Sequence, residues 1–371
     1  MTKEKKITFW IQVSSCLIFI LFILILSVVN VFAPKKTFSE NENRVLADSP
    51  DASLNNIFFG DFDTQFENWF TDHFINRDSW IQTKARTRSL TGSIENNGVY
   101  FGKNNYLIQQ FSSYNQKIVD NNIAYINEFA EANDIKINVL LVPGASLGES
   151  ENLPSGAYNS DEQALLAYVK NGLSKQNFID ITGKIKNEEN TYFRTDHHWN
   201  ERGAEIGYQA ICSEVLGKKP NTFTFTQVSD DFRGTMYSRS GAFWTKGDPL
   251  YQMTCDNPFD VRVTIDGKTY TSLFFEDHLS EKDKYPYYVD GNHGYVNIKT
   301  NVPGNKKAVI IKDSYSHILI PFLASEYSEL DIFDLRYFRD SISPFVTDNT
   351  DTYVIYGAET FTSDTNLAIL W

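Results

Sequence analysis

Two short segments, far apart in the chain, hold the residue types that could do chemistry. One is Thr195-Asp196-His197-His198-Trp199, which supplies a carboxylate and two imidazoles. The other is Ala308-Val309-Ile310-Ile311-Lys312-Asp313-Ser314, which sets a serine just after an apolar run that reads as a buried strand. Serine is a weak nucleophile until a base removes its proton. Histidine suits that role because its unperturbed pKa is about 6.5. A carboxylate on the far ring nitrogen fixes the tautomer and stabilises the imidazolium. Asp196 and His198 are two residues apart, so in an extended segment they share one face while His197 turns to the other. The set expected is therefore Ser314 as nucleophile, His198 as base and Asp196 as orienter.

Plainer readings stand beside it. Asp-His dipeptides and lone serines are common. Asp313 could simply cap a following helix, and Ser316 and His317 compete with Ser314, with His317 placed on a helix surface. Asp196, His197 and His198 could also ligate a metal. Adjacent histidines diverge on a strand, however. The superficial likeness to the DHH motif of manganese phosphoesterases also lacks the aspartate-rich motif those proteins carry after an earlier strand. No metal is expected.

These residues need elements to hold them. Ile137–Val142 reads as a buried strand ending at Pro143-Gly144, with helices expected at about 114–133 and 161–175 and a strand at 178–181. Asn200 can cap a helix reaching about Leu216, with Ala204, Tyr208, Ile211 and Val215 on one face. Val99–Phe101 and Tyr106–Ile108 flank a Gly102–Asn105 turn and read as a hairpin. After Ser314 a helix is expected at about 315–327, then strands at 330–335 and 353–356. A helix is expected around 60–90, where Phe62, Phe66, Phe70 and Phe74 recur every fourth residue beside Trp69 and predict a face packed on the domain. Residues 220–300 change character: Val261, Val263 and Ile265 alternate into Asp266-Gly267, a hairpin signal, and the region reads as a β-rich insertion or cap. Continuous apolar strands separated by helices imply a mainly parallel sheet covered on both faces, with its site beyond the strand carboxyl ends.

Bulk composition narrows the partners. The 371 residues are 42% hydrophobic and carry a formal net charge of -13, which argues against non-specific binding of nucleic acid or strongly anionic polymers. Of the three cysteines, Cys16 lies in an apolar segment, so only Cys212 and Cys255 could pair; no Cys/His spacing suggests structural zinc. The region Ile7 to Ala33 has no charged side chain and is long enough to span a bilayer, which needs roughly 20 apolar residues. Lys3, Lys5 and Lys6 precede it and Lys35 and Lys36 follow, a small bias toward an inside N-terminus. Val31-Phe32-Ala33 resembles a signal-peptidase site, but Pro34 just after the cut is unfavourable and the apolar stretch exceeds a signal-peptide core. The expected layout is a cytoplasmic tail (1–6), an uncleaved anchor (7–33), a linker (34–58) and an extracellular domain (59–371) containing the insertion at about 220–300.

With these residues in view, the chain resembles the DHHW protein family, related to the alginate O-acetyltransferase proteins of bacterial cell surfaces. The likeness rests on Ser39-Glu40-Asn41-Glu42-Asn43-Arg44, on Phe66 to Arg77 with Trp80, on Arg194 to Trp199 with Gly203-Ala204, and on Lys312-Asp313-Ser314-Tyr315. Gly291-Asn292-His293 and Asp334-Leu335-Arg336 also fit. The resemblance implies an SGNH-hydrolase-like α/β/α sandwich. It carries the Asp-x-His pair onto Asp196 and His198 and the nucleophile onto Ser314. Ordinary SGNH hydrolases place the serine early and an Asp-x-x-His late, so order and spacing depart here, as does Lys312-Asp313-Ser314 in place of Gly-Asp-Ser. Oxyanion and substrate candidates, by motif position, are Asn292, Arg336, Trp199 and His197, together with the Ser314 N–H. The implied activity is transfer of an acetyl group onto an extracellular polysaccharide, without metal or organic cofactor, fed by a membrane-bound O-acyltransferase that relays acetyl outward. An esterase with the same triad and a non-catalytic glycan-binding envelope protein are the alternatives.

Overall fold

The computed structural model describes every residue except Met1, Thr2, Asn43, Ser174 and Trp371. Met1 and Thr2 of the expected tail, the side chains of Lys3, Lys5 and Lys6 that bear on its orientation, and Asn43 of the Ser39–Arg44 motif lie outside the described residues. The chain divides into two compact units, residues 1–86 and 87–371.

The first unit opens with a helix, Lys3–Phe32, whose apolar stretch Ile7–Asn30 leaves its large side chains exposed. The segment expected as a linker holds a two-stranded antiparallel pair, Phe38–Ser39 with Arg44–Val45, and the start of a helix, Leu54–Phe59. The Ser39–Arg44 motif has a structural role. Arg44 grips the Asp72 carboxylate with both terminal nitrogens, and Arg77 pairs with Glu42 at 2.9 Å. The hydrogen bond from Arg44 outweighs the burial that opposes it and lowers the Asp72 pKa to about 2. Phe62, Phe66 and Phe70 of the phenylalanine repeat lie on helix Phe62–Asp72 and form a ladder, with ring centroids 6.0 Å apart from Phe62 to Phe66 and again from Phe66 to Phe70, while Phe74 follows the helix end. The rings stack on one another along the helix: Phe62, Phe70 and Phe74 are half-buried and Phe66 stays 44% exposed.

The second unit is built on an eight-stranded sheet. Its strands in chain order are β1 (Ile137–Val142), β2 (Asn177–Phe178), β3 (Val261–Ile265), β4 (Lys268–Tyr270), β5 (Tyr295–Thr300), β6 (Lys307–Lys312), β7 (Glu329–Phe333) and β8 (Thr350–Gly357). In space they run β4-β3-β5-β7-β6-β8-β1-β2. The β7-β6-β8-β1-β2 half is parallel, while β5, β3 and β4 add antiparallel strands on the other side. Strand alternation explains the layering. Val139, Leu141, Val309, Ile311, Val354 and Tyr356 pack under helices Gln116–Ala132 and Glu162–Gly172. Leu140, Val142, Ala308, Ile310, Tyr353 and Ile355 face the opposite layer, with Ala204, Tyr208 and Ile211 of helix Glu201–Ile211 and the segment after Ser314. This is the SGNH-like α/β/α arrangement.

The 220–300 region is not all cap. Its first part is a hairpin, Phe223–Phe232 with Asp248–Cys255, but its second part is β3, β4 and β5, which lengthen the main sheet by pairing β5 with β7. Asp266 and Gly267 both take positive φ (49° and 77°), as a tight two-residue turn requires. The helix expected at 315–327 is broken into a 3₁₀ turn, Ser314–Ser316, and a short helix, Ile320–Leu323. Pro321 has no N–H to continue a helix begun at Ser314. Cys212 and Cys255 are both buried free thiols.

Candidate active site

The connections from β1 and β6 leave the sheet in opposite directions, so a crevice opens beyond the carboxyl ends of β1, β8 and β6. Ser314 sits there. β6 delivers Asp313, which caps the 3₁₀ turn by accepting the Tyr315 N–H at 2.9 Å. Its other oxygen accepts the Gly357 N–H at 3.0 Å, fastening the end of β6 to the end of β8. Gly357 has to be glycine, because a Cβ there would lie 2.4 Å from the Tyr315 ring. Ser314 is half-buried, and among the described residues its own N–H finds no protein acceptor.

The other half of the site is the loop before helix Glu201–Ile211. Asn200 caps that helix, its side chain accepting from Arg202 and Gly203 N–H. Upstream, Asp248 accepts the Arg194 N–H (2.9 Å), the Thr195 N–H (2.8 Å) and the Thr195 hydroxyl (2.6 Å). Trp199 is fully buried and donates its indole N–H to the Tyr315 carbonyl at 2.7 Å. Tyr315 in turn donates its hydroxyl to the His197 carbonyl at 2.7 Å. The two remote segments are thus cross-braced by backbone-directed bonds.

Between them runs a continuous chain of hydrogen bonds. His198 Nε2 lies 2.8 Å from Ser314 Oγ, and His198 Nδ1 lies 2.5 Å from Asp196 Oδ1. Asp196 Oδ1 also accepts the His198 N–H at 3.0 Å, while Oδ2 accepts the Thr235 N–H at 2.7 Å and the Thr235 hydroxyl at 2.9 Å. Asp196 and His198 are buried, so of the three only Ser314 has substantial solvent access. Burial opposes the charge on Asp196, but the charge of His197 and the hydrogen bonds of His197 and His198 hold its pKa well below the usual range. Burial, reinforced by the charge of His197, lowers the His198 pKa to about 4 despite the pull of Asp196. The resting imidazole is therefore neutral and free to accept a proton.

His197 departs from the expectation. Residues 194–198 are a bent loop rather than a strand, so alternation does not apply. The His197 ring stays beside that of His198, centroids 3.8 Å apart, with Nδ1 2.6 Å from the Thr235 hydroxyl. Trp199 is corrected as well: its complete burial makes it a brace, not a substrate contact. Asn292 and Arg336 come together with each other. Arg336 donates to the Asn292 side-chain oxygen at 3.0 Å and grips Asp334 through Nε and Nη2. Among the described residues neither hydrogen-bonds to Ser314, His198 or Asp196. Asp334 lies 3.4 Å from Lys312, whose ammonium donates to His317 Nε2 at 2.6 Å. His317, expected on a helix surface, is buried; the broken helix turns it inward. Burial and the Lys312 charge hold its pKa well below normal, and burial brings that of Lys312 down to about 8.

Four residues have no counterpart in the sequence reading. Tyr285 stacks on His198 (centroids 4.0 Å, planes 8° apart) and donates its hydroxyl to the Ser314 carbonyl at 2.9 Å. Thr235, Gly234 and Asp248 hold the Asp196 side. All four lie in the 220–300 region, where no periodic pattern marked them. Asp196, His197 and His198 do place one donor atom each within 4.8 Å of the others. The Asp196 carboxylate, however, is already taken up by four donors and His198 Nε2 is aimed at Ser314, an arrangement that fits proton transfer better than metal ligation.

A family model for the SGNH hydrolase-like domain of the acetyltransferase AlgX matches residues 100–264, a span that holds Asp196 and His198 and stops before Ser314. No curated protein matches the chain. Among solved structures, a DHHW family protein from Eubacterium siraeum aligns with a TM-score of 0.65 and 22% identity, covering 74% of this chain and 96% of that one. Bacillus cereus PatB1, solved with a sulfonyl adduct, aligns with a TM-score of 0.58 and 19% identity over 71% of this chain and 96% of its own. The resemblance to the DHHW and alginate acetyltransferase proteins read from the sequence is borne out, and so is the SGNH-like fold.

Proposed function

We propose that the protein is a serine-dependent O-acetyltransferase that acetylates a polysaccharide outside the cytoplasmic membrane, to which its N-terminal helix anchors it. The observation that carries this reading is the Ser314–His198–Asp196 hydrogen-bond chain at the end of β6, within a fold shared with acetyltransferase relatives. In the first half-reaction Ser314 Oγ attacks the acetyl carbonyl while His198 Nε2 takes its proton. The tetrahedral intermediate collapses, His198 returns the proton to the leaving group, and an acetyl-serine remains. In the second half-reaction His198 removes the proton from a sugar hydroxyl, which attacks the acetyl-serine. The proton then returns to Ser314 as the ester leaves. Asp196 keeps its charge throughout and stabilises the imidazolium. The Ser314 N–H, at the start of the 3₁₀ turn, is available to the developing oxyanion. The donor is an acetyl carrier presented at the outer face of the membrane, with a membrane-bound O-acyltransferase as the relay.

The test is incubation of the full-length protein in detergent with an activated acetyl ester and oligosaccharides, followed by mass spectrometry. Acetylated oligosaccharide in the wild type and none with Ser314→Ala is expected. Acetate release without acetylated sugar would identify an esterase and refute transfer.

A further inference from the structure

The first unit exposes several large apolar side chains, and one of its segments is tied to the end of the apolar helix. Phe58 is 72% exposed and Phe59 87%, at the end of helix Leu54–Phe59; Leu54 and Val45 are exposed too. Trp80 is 48% exposed on helix Arg77–Leu90. Apolar exposure this extensive within one small unit marks a contact surface. Asn30, the last residue of the apolar stretch, is buried and accepts the Ile75 N–H on its side-chain oxygen at 2.9 Å. Trp80 donates its indole N–H to the carbonyl of that same Ile75 at 3.1 Å. Lys35 donates to the Asn30 carbonyl at 2.7 Å and lies 5.0 Å from the centre of the Trp69 ring. His73 Nε2 lies 2.9 Å from the Lys36 carbonyl oxygen. These bonds hold the 69–80 segment, with both tryptophans, at the level where the apolar helix ends.

The basic residues gather at the Trp80 end: Arg77 to Arg86 carries Arg77, Lys84 and Arg86 against Asp78, whereas residues 54–76 carry Asp61, Asp63, Glu67 and Asp72 and no lysine or arginine; Lys84 and Arg86 are exposed. Exposed tryptophan and phenylalanine just beyond a membrane-spanning helix are what the headgroup region favours: the rings enter the acyl boundary, and the cations near Trp80 meet phosphates.

We propose that residues 54–86 form a membrane-contact face that lies on the outer leaflet of a phospholipid bilayer, with Phe58, Phe59 and Trp80 in the interface and Lys84 and Arg86 at the phosphates. The proposal rests on the anchor reading. It gives the first unit a task the acetyl chemistry does not explain, which is to fix the attachment of the catalytic unit close to where a membrane-embedded donor would present its acetyl group.

The test uses the full chain in nanodiscs containing phosphatidylglycerol. An environment-sensitive fluorophore is attached at native Cys16, or in a Cys16→Ser background at Phe59→Cys, or at Tyr158→Cys, a 74% exposed position in the second unit. The buried Cys212 and Cys255 are inaccessible to the label. Expected at position 59 is strong quenching by nitroxide lipid and several-fold weaker quenching by aqueous iodide than at position 158. Iodide quenching at 59 equal to that at 158 would overturn the proposal. Protection at 59 from both quenchers would also overturn it, because protein would then cover the face. Lipid quenching at Cys16 reports the anchor separately, so a failed contact face and a failed anchor are told apart.

Discussion

Gly234 carries no functional group, yet its substitution should be among the most damaging to activity. It precedes Thr235, whose N–H and hydroxyl hold Asp196 Oδ2. A Cβ at Gly234 would lie 2.2 Å from Asp196 Oδ2 and 2.3 Å from Asp196 Cβ. The Gly234 φ is -85°, a value any residue adopts, so Gly234→Ala imposes no backbone strain. The whole cost falls on Asp196, which must retreat by about 1 Å, and a displacement of that size at a catalytic group costs on the order of 100-fold in rate. Local overpacking should lower stability by about 1–3 kcal/mol, small enough to leave the protein folded. The assay is hydrolysis of a chromogenic acetyl ester by detergent-solubilised wild type and variant, with circular dichroism to confirm folding. Loss concentrated in kcat rather than KM is expected, since the ground-state ester does not touch Asp196. A folded Gly234→Ala protein with wild-type kcat would refute the claim that Asp196 orients the base.

Two further outcomes follow from the same geometry. With the His198 pKa lowered to about 4 by burial and by His197, His198 is competent above that value and protonated below it; kcat/KM should hold steady from about pH 8 to about pH 5 and fall below. An acid limb centred near 6.5 would show the imbalance of burial and charge to be misread. Tyr285→Phe keeps the ring on His198 but loses the bond to the Ser314 carbonyl, about 1 kcal/mol of positioning, so a several-fold loss of kcat is expected. Tyr285→Ala removes the stack as well and should be markedly worse, and equal losses in the two variants would deny the stack any part.

The hydrogen-bonded trio of Ser314, His198 and Asp196 was legible because residue type and strand pattern announce it: an apolar run ending in serine, and an acid two residues before an imidazole. The parallel sheet was legible for the same reason, since β1, β6 and β8 are apolar throughout. What supports the trio was not. Thr235 and Asp248 act through single hydrogen bonds made after a long excursion of the chain, and Tyr285 acts through a ring face, none of which leaves a period in sequence. The orientation of His197 was misjudged because a loop bent by Asp248 does not alternate as a strand does. The helix after Ser314 was drawn too long by passing over Pro321. Phe62 to Phe74 showed a helix but not its end, since the four-residue repeat runs on to Phe74 past the last helical residue, Asp72.

The most direct measurement is covalent labelling with phenylmethylsulfonyl fluoride, read by peptide mass spectrometry on wild type and on folded His198→Gln. A sulfonyl group on Ser314 in the wild type, and none in the variant, is predicted. Modification at another residue, or equal labelling of Ser314 without the imidazole, would contradict the activation of Ser314 by His198.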